Sequence, residues 1–418
     1  MAKALNYLYL FLAGLLTWGV VWVNLQLYTP APPFPGRKEE VVRQLNYLSH
    51  ALKKEDAGTQ MQYLFPEGFV FLHALYGLSW CELALALPRE KALGQRAAQE
   101  ALYAYGQINS QEGRSTFPEN MTPAYGIFYH GWRNYLLAKL LQLPVMFPER
   151  ASCLQEFKSN CAAIAKAMRQ SSSPFLESYP SQAWPADMFA AVASLRIYDQ
   201  LYGPVYTQEL ARWIGQVKER LDPATGLLPH KAEAGTGTQL ERARGGSMAL
   251  MLRLLVEIDP VFAREEYARF QHHFVTTVLG LPAVREYPKG TAGVEDIDSG
   301  PVILGVGFPA TLVSIGTFQV FGEEELSQRQ FQTVHAFGWA TSTASETFYL
   351  WGQLPLADAF IAWSRATGHR INPVATVPAN HFWRMPFHLI SAFILLVFWL
   401  LFLKMKRIAV PAKEQQSA

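Results

Sequence analysis

The sequence predicts an all-α protein: an (α/α)6 toroid, or barrel, of about twelve helices, flanked by an N-terminal and a C-terminal transmembrane helix. Three observations carry this. Stretches with helical spacing alternate along the chain between amphipathic ones and ones that are apolar on every face. A helix hydrophobic all round is buried, so each pair supplies one outer and one inner helix. Six such pairs, recurring at roughly 50–60 residues, are the pattern of a closed helical toroid. No run of alternating strands competes, and only the turns at Leu221–Pro229 and Thr343–Gln353 leave room for short hairpins.

Leu5–Leu27 opens the chain, nearly uncharged and rich in Leu, Val and Trp, and Phe387–Leu403 resembles it near the end. Each is about the length that spans a bilayer core, roughly 17–25 residues. No small-x-small cleavage site precedes Pro30, so residues 5–27 read as an uncleaved anchor rather than a signal peptide. Residues 28–37 hold four prolines and read as a stiff linker. The barrel domain occupies 38–370. Its expected helices are Lys38–Ala57, Pro66–Leu87, Arg89–Gly106, Pro123–Leu143, Glu149–Gln170, Trp184–Tyr202, Val205–Leu221, Leu240–Ile258, Pro260–Leu279, Pro301–Gly322, Glu323–Ala340 and Leu354–Gly368. The second span, 387–403, runs into a 404–418 tail that begins with Lys404, Lys406 and Arg407, a cytoplasmic stop. With Lys3 at the other end, both termini are expected in the cytoplasm and the barrel outside the cytoplasmic membrane.

Half of the 418 residues are hydrophobic and 17% are charged, with a net charge of +2. No basic surface points to nucleic acid. The bilayer and a small-molecule substrate, apolar in character, are the expected partners. Cys153 and Cys161 lie eight apart, outside the spacing at which helix neighbours meet, and Cys81 stands alone. No disulfide framework and no metal-binding spacing follows, and no metal or cofactor is expected. Asn120-Met-Thr122 is a glycosylation acceptor only in a eukaryotic secretory pathway.

In such a toroid the loops that enter the inner helices meet at one end, where helix N-termini favour negative charge. The most informative of them is Glu286–Pro301, broken by Pro288, Gly290, Gly293 and Gly300 and carrying Glu295, Asp296 and Asp298. Asp298 or Ser299 is placed to cap the next helix, with Pro301 in its first turn. The catalytic candidates are Asp187, Asp298, His130 and Glu67. The candidates for substrate binding are Tyr63, Tyr129, Ser178, Tyr179, Trp184, His230, Arg244 and Asp296. Aromatics with a few acids, a histidine and an arginine make a small-molecule site. Each has a plainer role open to it: Asp187 and Glu67 as first-turn helix acids, Asp298 as a cap, His130 as a core histidine, Arg244 as a structural ion-pair partner.

Two carboxylates on different inner helices make an acid–base pair if burial raises one and leaves the other ionised. That serves glycoside cleavage and equally serves loss or addition of water at an allylic alcohol.

Tyr179–Gly203, Leu221–Gly226, Glu257–Arg264 and Thr291–Gly300, with Glu119-Asn-Met121 before them, fall in the order and spacing of the linalool dehydratase/isomerase family. The chain resembles that family over about 40–380. The resemblance implies an (α/α)6 barrel, a site at its mouth, action outside the cytoplasm, no metal, and lyase or isomerase chemistry on an isoprenoid alcohol. Ser178 and Asp187 stand where the family carries its active-site cysteines, His130 is the approximate counterpart of its histidine, and Tyr63 and Glu67 loosely match its tyrosines and acid. Thiol chemistry is therefore not expected. A carboxylate/His lyase or isomerase is the first expectation; a carbohydrate-active hydrolase or lyase of the same barrel, or a non-catalytic binding domain, are the alternatives.

Overall fold

The computed structural model describes residues 2–368, 370–371 and 381–408. The chain order is α1 Ala2–Gln26, α2 Lys38–Lys54, α3 Ala57–Leu64, α4 Gly68–Ala86, α5 Lys91–Ile108, α6 Gln111–Arg114, α7 Gly126–Gln142 and α8 Arg150–Gln170. It continues with β1 Gln182–Ala183, α9 Pro185–Tyr202, α10 Thr207–Lys218, β2 Lys231–Glu233, β3 Gln239–Glu241, α11 Gly245–Ile258 and α12 Pro260–His273. The remainder is β4 Val275–Val278, β5 Leu281–Val284, β6 Val302–Ile303, β7 Val306–Gly307, α13 Phe308–Val320, α14 Glu324–Phe337, β8 Thr341–Ser342, β9 Thr347–Phe348, α15 Pro355–Ala366 and α16 Met385–Ile408.

Helices α4, α7, α9, α11, α13 and α15 each pack on the next, and α15 returns to α4, which closes a ring of six. These are the helices the sequence marks as apolar all round: α4 is buried along nearly its whole length, from Gly68 to Ala84. Helices α2, α5, α8, α10, α12 and α14 pack outside the ring. Each buries one face only, as α10 does through Leu210, Trp213 and Val217. Because every outer helix precedes its inner partner, all six inner helices start at one end of the barrel, here called the mouth.

The far end is closed by charge. Lys139 Nζ lies 2.9 Å from Glu257 and 3.3 Å from Glu82, and Arg370 bridges the same two acids at 2.7 and 2.6 Å. The Tyr135 hydroxyl donates to Glu257 at 2.8 Å. Arg253 stacks 3.3 Å from the Trp363 ring centroid.

Three expected boundaries move. The segment expected to continue the Pro260 helix to Leu279 turns instead into the β4–β5 hairpin, whose Val-Thr-Thr-Val run favours strand over helix. Leu240–Glu241 belongs to a three-stranded sheet of β1, β2 and β3 that ties the loops before α9 and α11. Helix α13 starts at Phe308, not Pro301: Leu304 and Gly305 adopt positive φ and fold Val302–Gly307 into a tight hairpin. Asp298 is therefore not a helix cap, and its carboxylate is free for other work.

Three helices are long and apolar enough to cross a membrane, and Gly68–Ala86 is 83% buried as the first inner helix. The other two, α1 and α16, are mostly unburied and pair antiparallel, with Tyr9 stacked on Phe398 and Phe402, and Asn24 against His388. The linker does not stand free. Arg37 donates to Arg365 and Thr367 carbonyls at the far end, and the Thr29 carbonyl accepts from Gln332 on α14 at 2.9 Å. The expected cytoplasmic tail lies, beyond residue 408, outside the described residues.

Candidate active site at the barrel mouth

Asp187 sits in the first turn of α9, behind Trp184 and Pro185. It is buried, and its Oδ2 accepts from the Ser178 hydroxyl at 2.6 Å. Ser178 Oγ in turn accepts from the Trp184 backbone N–H at 3.2 Å, so the loop and the helix start are locked together. The Trp184 indole N–H reaches across to Asp298 Oδ2 at 3.1 Å. His230 Nε2 lies 3.3 Å from the same oxygen, and His230 Nδ1 lies 3.1 Å from the Ser247 hydroxyl. One polar chain thus runs from Asp187 through Ser178, Trp184 and Asp298 to His230 and Ser247. It draws on the loops before α9, α11 and α13.

Glu67, just ahead of α4, accepts from the Tyr179 hydroxyl at 2.8 Å. Tyr179 meets Trp184 edge-on at 5.5 Å, and Lys231 Nζ lies 4.6 Å from the Trp184 ring centroid. Arg244 pairs with Asp296 at 2.6 Å and with Glu241, and its guanidinium lies 5.5 Å from the Tyr287 ring. One turn further in, Phe71 packs against Phe128, Trp132 and Phe360, which forms an aromatic floor.

The acids differ in ionisation. Burial pushes the Asp187 carboxyl up to about 7, against the opposing Ser178 hydrogen bond and helped by the nearby Glu67 and Asp298 charges. Burial also lifts Glu67, which the Tyr179 bond only partly offsets. For Asp298 burial is outweighed by His230 and by the Trp184 donor, and the group is held below the usual carboxylate range. Asp296 is likewise held low, because the Ser299 backbone and Arg244 outweigh burial.

The structure gathers Asp187, Asp298, Glu67, Ser178, Tyr179, Trp184, His230, Arg244 and Asp296 at the mouth. It does not bring the remaining three candidates to the acids. Tyr63 is 87% exposed at the end of α3. Tyr129 is buried, with its hydroxyl turned to the Ile108 carbonyl at the end of α5. His130 is pushed down to about 4 by burial and by the charge of Arg133, and no acid stands among the groups that act on it. The spacing that places His130 near the start of α7 does not say which way the ring turns; it meets Tyr129 edge-on at 5.6 Å and the Ala124 backbone.

Glu286 opens the most informative mouth loop, and the sequence assigns it no catalytic or binding role. It is 2% exposed, its Oε2 has no hydrogen-bond partner, and burial pushes it up to about 7 despite Arg244. Gly307 makes room for it: a Cβ there would come 2.4 Å from Glu286 Oε2. The available signal is a glutamate that opens a glycine-rich loop leading into an apolar helix.

Two cavities stand out, and neither is lined by Asp187, Asp298, Glu67 or Glu286. One, of about 390 Å³, lies beside Arg244, Tyr287 and Lys289 at the mouth. The other, of about 720 Å³, opens at the far end by Glu257, Arg196 and Arg370. The three cysteines are free and buried away from the mouth, Cys81 in α4 and Cys153 and Cys161 in α8.

Fold and site together define a helical toroid with an acid-lined mouth. Among solved structures, the chain is similar to a selenomethionine derivative of the GH76 alpha-mannanase of Bacteroides thetaiotaomicron, at 12% identity and a TM-score of 0.44, over 71% of this chain and 85% of that one. No family model and no curated protein matches the chain. The resemblance to the linalool dehydratase/isomerase family therefore rests on the residues quoted for it alone.

Proposed function

We propose that the chain is a membrane-anchored, extracytoplasmic glycoside-cleaving enzyme that uses Asp187 as proton donor and Asp298 as the ionised partner. One observation supports this above others: the two carboxylates share one polar chain through Trp184, yet one is buried beside other acids and the other is held ionised by His230 and the indole. That is the division of labour glycosidic cleavage needs. The bond between the anomeric carbon and the bridging oxygen breaks, its electron pair stays on that oxygen, and the Asp187 proton follows. Asp298 supports the positive charge at the anomeric carbon; the water oxygen then bonds to that carbon as the new hydroxyl, and its spare proton passes to the Asp187 carboxylate, which restores the acid.

The mouth also argues against the expected apolar substrate. Glu67, Glu286, Asp296, Arg244 and Lys231 surround the pair. Glu67, Asp296 and Arg244 keep their protein partners, but a purely apolar ligand that displaced water here would leave Glu286 Oε2 and the Lys231 ammonium without hydrogen bonds, at roughly 1–3 kcal/mol each. A polyhydroxylated one would pair with them, and Trp184 and Tyr179 offer ring faces for a sugar. The carboxylate lyase or isomerase acting on an isoprenoid alcohol remains the second reading, and the Phe71, Phe128 and Phe360 floor favours it.

The test incubates the detergent-purified full chain with panels of oligosaccharides and isoprenoid alcohols in ¹⁸O-water, with products read by mass spectrometry. Saccharide cleavage with one ¹⁸O at the new reducing end is expected. Turnover of an isoprenoid alcohol with no saccharide cleaved would replace this reading by the second.

Trp184→Phe gives a finer check. The ring is kept and the N–H donor to Asp298 is lost, so the Asp298 carboxyl moves up. The acid limb of kcat/KM is expected to shift to higher pH by up to about one unit, since a single hydrogen bond contributes about 1 kcal/mol. An unmoved limb, with activity lost at every pH, would assign Trp184 to substrate stacking alone.

A further inference from the structure

We propose that the barrel sits mouth-down on the same bilayer that α1 and α16 cross, with its rim loops inserted at headgroup depth. The inference rests on the reading of α1 and α16 as membrane spans.

The path of the chain fixes the polarity. Arg37 is anchored at the far end, on the carbonyls of Arg365 and Thr367 that close α15. Read back towards the N-terminus, the linker climbs the barrel wall. Ala31 packs against the cluster that holds Phe331 and Val334, Thr29 meets Gln332, and Leu27 joins the cluster that holds Ala336 near the mouth end of α14. Helix α1 then continues past the rim, where Trp18 meets Trp339 at 5.5 Å. Helix α16 leaves from the same place: Arg384 donates to the Leu27 carbonyl at 2.9 Å and to Gln332, and Trp383 packs on Leu281 of the β4–β5 hairpin. Both spans therefore depart from the mouth side, and the bilayer they cross lies over the mouth rather than under the far end.

The rim is apolar where that arrangement needs it to be. Val294, Ile297, Ile303 and Leu304 in the loop before α13, Trp351 before α15 and Leu64 before α4 are all exposed, from 51% to 83%. An apolar patch of this kind on a protein surface marks an interaction site. It is continuous with the first span, because Trp351 stacks on Trp339 at 5.5 Å and Trp339 meets Trp18. Tryptophan at this depth matches the aromatic belt of a membrane interface. A substrate then approaches the acids along the membrane surface, which favours one whose polar head stands at that surface.

Single cysteines replace Leu304, Ile297, Val261 and Leu396 one at a time in the full chain, whose three native thiols are buried. Each variant is spin-labelled in lipid nanodiscs and its exposure to dissolved oxygen and to an aqueous nickel chelate is compared. Val261 opens α12 at the far end, and Leu396 lies within α16. Labels at 304, 297 and 396 are expected to be reached by oxygen and shielded from nickel, and the label at 261 to show the reverse. Labels at 304 and 297 as nickel-accessible as 261, with 396 shielded, would overturn the docking while leaving the anchor intact. Nickel access at 396 as well would overturn both.

Discussion

Asp187→Asn is expected to lower saccharide turnover by about 10²–10⁴-fold, the range for loss of a general acid, and to raise the melting temperature at pH 8. The two effects have one cause. Asp187 titrates near 7 in the fold because burial and the neighbouring acids disfavour its charge. A carboxyl raised in this way favours the folded state fully below its unfolded value, near 4, and that contribution is lost as pH rises through about 7. Above that, the folded protein holds a buried anion, at a cost on the order of 4 kcal/mol at most. Asparagine accepts the same Ser178 hydrogen bond without the charge. Thermal unfolding of wild type and variant at pH 5 and pH 8 should give melting temperatures close together at pH 5 and a clearly higher value for the variant at pH 8. The wild-type rate should decline on the alkaline side as Asp187 ionises. A variant less stable at both pH values would make the carboxyl a structural brace and remove the proton donor from the mechanism.

Asp298→Asn separates the partner. It takes away an ionised group that is 34% exposed and bound to His230 and Trp184. Turnover should fall without the gain in stability at pH 8, because this carboxylate is favoured, not opposed, by its surroundings.

The toroid was legible in the sequence because a buried helix and a half-buried one leave different hydrophobic patterns, as α4 and α10 show. What sequence patterns do not carry is the direction of a side chain after a turn. Asp298 looked like a cap because Pro301 stood three residues on. The positive φ of Leu304 and Gly305 delays α13 to Phe308 and turns the carboxylate to Trp184 and His230 instead. His130 and Tyr129 sit at expected positions on α7, yet His130 meets the Ala124 backbone and the Tyr129 hydroxyl the end of α5, not the acids. The mouth aromatics and a site above a bilayer likewise suggest an apolar ligand, in a chain of which half is hydrophobic. Most of that excess lies in inner helices and terminal spans, while the mouth loops carry Glu67, Glu286, Asp296, Asp298 and Arg244.

Lys139→Met is expected to cost about 3–5 kcal/mol in stability, the range for breaking a buried ion pair from one side, and to leave the turnover of the remaining folded molecules unchanged. Lys139 is 1% exposed and lies between Glu82 and Glu257 at the far end. Burial alone would raise Glu82, but Arg370, Lys139 and Arg253 outweigh it and hold the carboxyl well below its usual range. Its contribution is therefore present above about pH 4.5 and lost as pH falls below that. Methionine fills the space of the lysine stem and leaves two acids to share Arg370, so denaturant unfolding at pH 7 should show the loss directly. Lys139→Met combined with Glu257→Gln should recover part of it, because the uncompensated charge is gone. The same variant weighs the two ends of the barrel against each other. The larger cavity opens beside Glu257 and Arg370, not beside Asp187. If Lys139→Met left stability intact and abolished turnover, the chemistry would belong to that cavity. If stability falls and specific activity holds, the far end is the clasp of the ring. Asp187 at the mouth, with no cation among the groups that act on it, then stays the proposed proton donor.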